Sequence, residues 1–142
     1  MQDKVVLVTG GAKRVGATIC RGLHAAGATV AVHYRHAENE ALALQNELND
    51  VRPDSAAVFH ADLLDLNALP ILVSEVITKF DRLDALVNNA SSFYPTPVNE
   101  VNQENWHDLM GSNLKAPLFL AQAAASELRH RHGCIVNIAD IH

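Results

Sequence analysis

Val5-Val6-Leu7-Val8-Thr9-Gly10-Gly11-Ala12-Lys13-Arg14-Val15-Gly16 decides the fold. Its first residues, Val5 to Val8, form an unbroken β-branched and aliphatic run, which suits a strand buried on both faces. A glycine turn follows at once, and an apolar helical pattern over residues 15–26 follows the turn. Gly10 permits the tight turn, and Gly16, at the start of the helix, permits close packing against the strand. The helix N-terminus brings N–H groups without carbonyl partners and the positive end of its dipole, which suits a pyrophosphate. Glycine spacing alone is a weak signal; its place between a strand and a helix carries the reading.

Similar apolar runs recur at residues 29–32, 56–59, 85–87 and 134–138. Helical patterns lie between them at residues 15–26, 38–49, 66–80 and 113–128. In the second of these, Leu42, Leu44 and Leu48 alternate with Glu40, Asn46 and Glu47, as on a surface helix. Strand and helix in strict alternation imply βαβ units, a parallel sheet and, with right-handed crossovers, helices on both faces. No internal repeat, low-complexity tract or linker interrupts the chain, so residues 1–142 read as one domain. The irregular stretch 91–105, with Pro95 and Pro97, is long enough to be read as functional.

Of the 142 residues, 49% are hydrophobic and 19% charged, a balance that argues against disorder. A net charge of −5 offers no general attraction to nucleic acid or an anionic membrane, so any bound anion must be captured by local geometry. The uncharged stretch 116–126 is too short to span a bilayer and contains Pro117. With Asp3-Lys4 and a strand directly behind Met1, the expectation is that there is no signal peptide. Cys20 sits in a helical pattern and Cys134 opens a strand, so both read as buried small hydrophobes in a reducing, cytoplasmic setting. None of the 8 histidines is spaced for a metal, and His130 and His132 read as a solvated helix end.

The spacing from Thr9 to Gly16 resembles T-G-x-x-x-G-x-G, the signature of the short-chain dehydrogenase/reductase family, with Arg14 where the middle glycine usually sits. The T-G-x-x-K-R-x-G form is similar to the pteridine reductase branch, in which that arginine reaches toward the cofactor phosphates and the substrate. Arginine forgoes the close backbone approach of glycine but adds a fork of donors for an anion. The resemblance implies a Rossmann-type doubly wound α/β sheet of order 3-2-1-4-5 as far as the chain runs, lined at its cofactor turn by Gly10, Lys13, Arg14 and Val15.

The end of the second strand distinguishes NAD from NADP, because an acid there would hold the ribose 2′-OH and repel a 2′-phosphate. This chain reads His33-Tyr34-Arg35-His36, with no carboxylate before Glu38. Arg35 can pair with the phosphate, His33 or His36 can donate to it, and Lys13 adds a further cation. NADPH is therefore the expected cofactor. Asp62-Leu63 resembles the family's adenine-binding segment, in which the aspartate accepts from the adenine amino group.

Asn88-Asn89-Ala90 matches the family's N-N-A-G segment, with Ser91 in place of the glycine, and the resemblance places Asn89, Ala90 and Ser91 at the cofactor. Ser91-Ser92-Phe93-Tyr94-Pro95-Thr96-Pro97 is similar to the pteridine reductase active-site loop. That likeness implies Phe93 as a lid stacked on a flat heterocycle, and Ser92 as its hydrogen-bonding partner. Asn113 begins the fourth helical pattern and matches an asparagine supporting a proton relay; a helix cap would look the same. The resemblance implies that this apolar helix, with Leu114, Leu118 and Phe119, helps build a homo-oligomer, a dimer of dimers; a buried core helix would read the same way.

In the wider family the fifth strand leads to a serine, followed about a dozen residues later by a tyrosine and a lysine four apart. Here Asp140 stands at the serine position, as in the pteridine reductase branch, where an aspartate helps relay a proton. Neither Tyr34 nor Tyr94 has a lysine four residues later, and the chain ends at His142. The expectation is an NADPH-dependent reductase of a pterin or dihydrofolate C=N bond, cut before its last strands and inactive as it stands. The rival readings are a ketone reductase of the same fold, such as one acting on a 3-oxoacyl thioester, and a non-catalytic NADP-binding sensor.

Overall fold

Every side chain of β1 (Val5–Val8) is at most 4% exposed, and successive residues point into two different cores. Val5 and Leu7 pack with Leu69, Leu72 and Val76 of one helical layer and Leu120 and Leu128 of its neighbour. Val6 and Val8 pack with Ala17 and Cys20 on one side helix and with Leu44 and Leu48 on the next. The period of two along the strand thus explains why the run carries no polar position. The structure, a computed structural model, describes residues 1–139.

Around β1 lie α1 (Arg14–Ala25), β2 (Thr29–Tyr34), α2 (Glu38–Val51), β3 (Ala56–His60), α3 (Ala68–Phe80) and β4 (Ala85–Asn88). A 3₁₀ turn (Val98–Glu100), α4 (Gln103–Met110), a π-helical turn (Gly111–Lys115), α5 (Ala116–His130) and β5 (Cys134–Asn137) follow. The sheet is parallel throughout and ordered β3-β2-β1-β4-β5, as the sequence resemblance implies. In such a sheet the loops leaving β1 and β4 diverge at their carboxyl ends, where ligands of open α/β folds bind.

Three local differences matter for the site. β2 runs two residues further than its apolar core, with His33 opposite Phe59 and Tyr34 opposite His60. Both residues are therefore strand residues rather than loop residues. Between β4 and α5, α4 forms where the sequence reads as loop, opened by Asn102 and Asn105, each side chain taking the other's backbone N–H. Asn113 falls inside the π-helical turn rather than at a helix cap, and α5 starts after it with Pro117 in its first turn, where no N–H is needed.

Cys20 is buried as expected, its thiol reaching the Gly11 carbonyl and pushed up to about 12 by burial. Cys134 is not: β5 is the edge strand of the described sheet and its residues are exposed on both faces. Among the described residues no helix is long and apolar enough to cross a membrane.

Candidate functional site

The glycine turn sits at the carboxyl end of β1, against the segment leaving β4. Gly10 adopts φ +60°, and a Cβ there would lie 3.0 Å from the Ala90 Cα. Glycine is needed on both counts. A Cβ on Gly16 would lie 2.1 Å from the Gly10 carbonyl oxygen and 2.7 Å from the Asn89 side-chain nitrogen. Gly16 thus makes room for the turn and for Asn89, rather than for the strand as its spacing suggests.

The polar groups of this turn are satisfied by the protein itself. Gly10 N–H donates to His33 Nδ1 at 3.1 Å and Gly11 N–H to the His33 carbonyl at 2.9 Å. Asn89 Nδ2 donates to the carbonyls of Thr9 (2.9 Å) and Gly10 (3.2 Å). Thr9 Oγ1 accepts the backbone N–H groups of Asn89 and Ala90, both at 3.0 Å. The next N–H groups, at the first turn of α1, lack helical carbonyl partners and are the ones left to receive an anion.

Arg14 opens α1 at φ +48°, in the left-handed region that favours glycine. This is the backbone reason for the usual glycine there, and arginine bears a cost of about 1–2 kcal/mol. The side chains of Lys13, Arg14 and Val15 are all exposed, Val15 at 60%.

The end of β2 differs from its sequence reading. His33 is 2% exposed, its Nδ1 accepts from Gly10 and its Nε2 lies 3.1 Å from the Ala61 carbonyl. Both ring nitrogens are occupied, so His33 has no donor left for a phosphate. Burial pushes its ring down to about 4, with the nearby His60 acting in the same direction. Tyr34 is also a core residue; its ring lies 5.4 Å from that of His60 and its hydroxyl reaches Glu38 at 3.4 Å. Leu63 packs into the α3–α5 core. Arg35 and His36 are exposed at the strand end.

Each of the two cations meets a carboxylate distant in sequence. Asp62 Oδ2 lies 2.9 Å from Arg35 Nη2, and Glu40 Oε1 lies 2.6 Å from Lys13 Nζ. Asp62 Oδ1 also accepts the Leu64 N–H at 3.0 Å, an Asx turn that fixes its carboxylate. The hydrogen bond from Lys13 holds the Glu40 carboxyl below its ordinary range. Both pairs are exposed and screened by solvent, so a phosphate dianion can compete for both cations.

Beyond β4, Asn88 Nδ2 donates to Asn137 Oδ1 at 2.8 Å, bracing β4 to β5. Ser91 is exposed and begins the proline-containing loop. Asn113 Oδ1 accepts the Ser92 N–H, and Asn113 Nδ2 donates to the Ser92 carbonyl, both at 2.9 Å. Ser112 Oγ donates to the same Asn113 oxygen at 2.9 Å, and Ser92 Oγ donates to Asp108 Oδ1 at 3.3 Å. Phe93, 78% exposed, follows directly. Sequence patterning does not single out Glu40, Asp108 or Ser112; only an asparagine capping box marks the helix that brings Asp108 here. Asp140 lies outside the described residues. Among them, no group of three or more His, Cys, Asp or Glu side chains could hold a metal.

A glycine turn facing a structured loop across the β1–β4 switch point is the arrangement of a nucleotide-binding α/β fold. The short chain dehydrogenase family model matches residues 4–142, and the chain belongs to that family. Pteridine reductase 1 of Leishmania tarentolae is 37% identical over 174 residues, covering 96% of this chain and 60% of that protein. A cyclopentanol dehydrogenase from a Comamonas species is 38% identical over 144 residues, covering 100% of this chain and 56% of the enzyme. The crystal structure of a blue fluorescent protein from a metagenomic library, in complex with NADPH, superposes with a TM-score of 0.91 at 35% identity. It is covered over 56% of its length by 98% of this chain. The chain thus spans little more than half the length of these relatives.

Proposed function

We propose that residues 1–142 form a single NADP-binding domain, the cofactor-holding part of a reductase acting on a pterin or dihydrofolate ring. The observation that carries this reading is the contact between the Gly10 turn and Ala90, which brings the anion-receiving start of α1 beside the Ser91–Pro97 loop. The residues fit NADPH. Gly10 and Gly16 leave the close approach that side chains would fill, and Arg14 adds a cation at the helix start. Lys13 and Arg35 supply positive charge near the end of β2, with His36 beside them. When bound, the cofactor supplies hydride.

On the substrate side, Asn113 and Asp108 hold Ser92 in place, and Phe93 offers an exposed ring on the same loop. Stacking of a flat heterocycle on that ring adds roughly 0.5–1.5 kcal/mol beyond buried area. The apolar side chains exposed on and beside α4 and α5, including Trp106, Leu114 and Leu118, support assembly as a dimer of dimers.

The cyclopentanol dehydrogenase likeness favours a second reading, a reductase of a simple ketone. Fluorescence titration separates the two. The NADPH-loaded protein is expected to bind 7,8-dihydropterin saturably, and Phe93→Ala to weaken that binding several-fold. Binding of cyclopentanone but not dihydropterin would favour the ketone reading, and binding of NADH in preference to NADPH would overturn the cofactor assignment.

A further inference from the structure

Gly10 lies between two peptide groups, and both are gripped at both ends. In the Thr9–Gly10 peptide, the N–H donates to His33 Nδ1 and the carbonyl accepts from Asn89 Nδ2. In the Gly10–Gly11 peptide, the N–H donates to the His33 carbonyl and the oxygen accepts from the same Asn89 amide. Glycine populates left- and right-handed backbone about equally, so its flanking peptides rotate readily unless something holds them. His33 holds the N–H side of both.

The ring chemistry is set by its partners. A backbone N–H only donates, so Nδ1 must carry a lone pair; a carbonyl only accepts, so Nε2 must carry the hydrogen toward Ala61. The neutral Nε2–H tautomer alone satisfies both. Protonation would aim an N–H at the Gly10 N–H. The titratable groups acting on the ring are His60 and Asp62, and Asp62 is paired with Arg35.

We propose that His33 is a positioning residue for the dinucleotide: its Nδ1 fixes the peptide before Gly10, and through it the start of α1 that receives the phosphates. The proposal rests on reading the turn as an NADPH site. Preorganising a turn lowers the entropy lost when the ligand binds.

Two substitutions divide the ring's functions. In His33→Asn the side-chain oxygen replaces Nδ1 and keeps the acceptor for Gly10, while the reach to Ala61 is lost. In His33→Gln the terminal amide reaches Ala61 instead, and the acceptor at Nδ1 is lost. Fluorescence titration at pH 7.5 is expected to give His33→Asn an NADPH dissociation constant within threefold of the unaltered protein and His33→Gln one at least tenfold higher. Equal losses, or the reverse order, would overturn the proposal. Nitrogen-15 NMR of the unaltered protein adds a test independent of any variant. The ring is expected as the Nε2–H tautomer from pH 8 to pH 5, and an Nδ1–H tautomer would refute the assignment. Failure of the unaltered protein to bind NADPH would sink the cofactor reading itself, whereas normal binding with unranked variants would sink the His33 proposal alone.

Discussion

Asn113 closes a pair of hydrogen bonds on the backbone of Ser92, accepting its N–H and donating to its carbonyl, each at 2.9 Å. A residue in a π-helical turn thereby holds a loop 21 positions earlier in the chain. π turns occur often at functional sites because they redirect a side chain that a regular helix would aim elsewhere.

Asn113→Leu removes both bonds and leaves Ser112 Oγ without one acceptor. The loop carrying Phe93 should loosen while the glycine turn stays intact. Dihydropterin binding is expected to weaken by about 1–2 kcal/mol, or five- to thirtyfold, with NADPH affinity changed less than threefold. Equal losses for both ligands in titration would show that Asn113 supports the fold at large rather than the loop.

Arg35→Glu places a second carboxylate against Asp62 in place of the proposed phosphate partner. NADPH affinity should fall by at least tenfold and NADH affinity much less. The comparison of the two dissociation constants is the measurement; equal losses would remove Arg35 from the phosphate site.

Arg14→Gly relieves a left-handed arginine at φ +48°. Thermal or urea unfolding should show a gain of up to about 1 kcal/mol, while NADPH binding weakens from the lost cation. A stability loss would show that the arginine side chain supports the fold more than its backbone strains it.

His33 is held at about 4, below its ordinary 6.5, because burial disfavours the charged ring. The unfolded chain therefore takes up a proton at higher pH than the folded one. The stabilisation is complete above pH 6.5 and declines as pH falls toward 4, by about 3 kcal/mol across that window. His24 is lowered as well, first by burial and then by Arg52, and contributes in the same direction. Urea midpoints at pH 7, 6 and 5 should fall steadily, with a shallower slope in His33→Asn. A flat profile would contradict the buried neutral ring.

Gly16 and Gly22 share one helix and make opposite predictions. A Cβ at Gly16 meets the Gly10 carbonyl at 2.1 Å, whereas nothing lies within 4 Å of one at Gly22. Gly16→Ala should cost at least about 2 kcal/mol and abolish tight NADPH binding, since backbone must move. Gly22→Ala should stabilise by about 0.5–1 kcal/mol through helix propensity. Calorimetric midpoints for the two variants give the comparison directly.

The alternation of apolar runs and helical patterns is local and periodic, so the sequence alone determined the βαβ order, the parallel sheet and the place of the glycine turn. Gly10 and the T-G-x-x-x-G-x-G spacing were legible for the same reason, since a tight turn is a property of consecutive residues. The tertiary structure decided what each polar side chain does. Strand pairing carries β2 through His33, which turns an apparent phosphate donor into a buried acceptor for Gly10. Chain folding brings Asp62 to Arg35 and Glu40 to Lys13, although no acid stands beside either cation in the local sequence. It brings Asn113 to Ser92 through a helical turn that no periodicity announces. These partners lie 21 to 27 residues apart, and hydrogen bonds and ion pairs depend on atomic approach in space, which residue order leaves open.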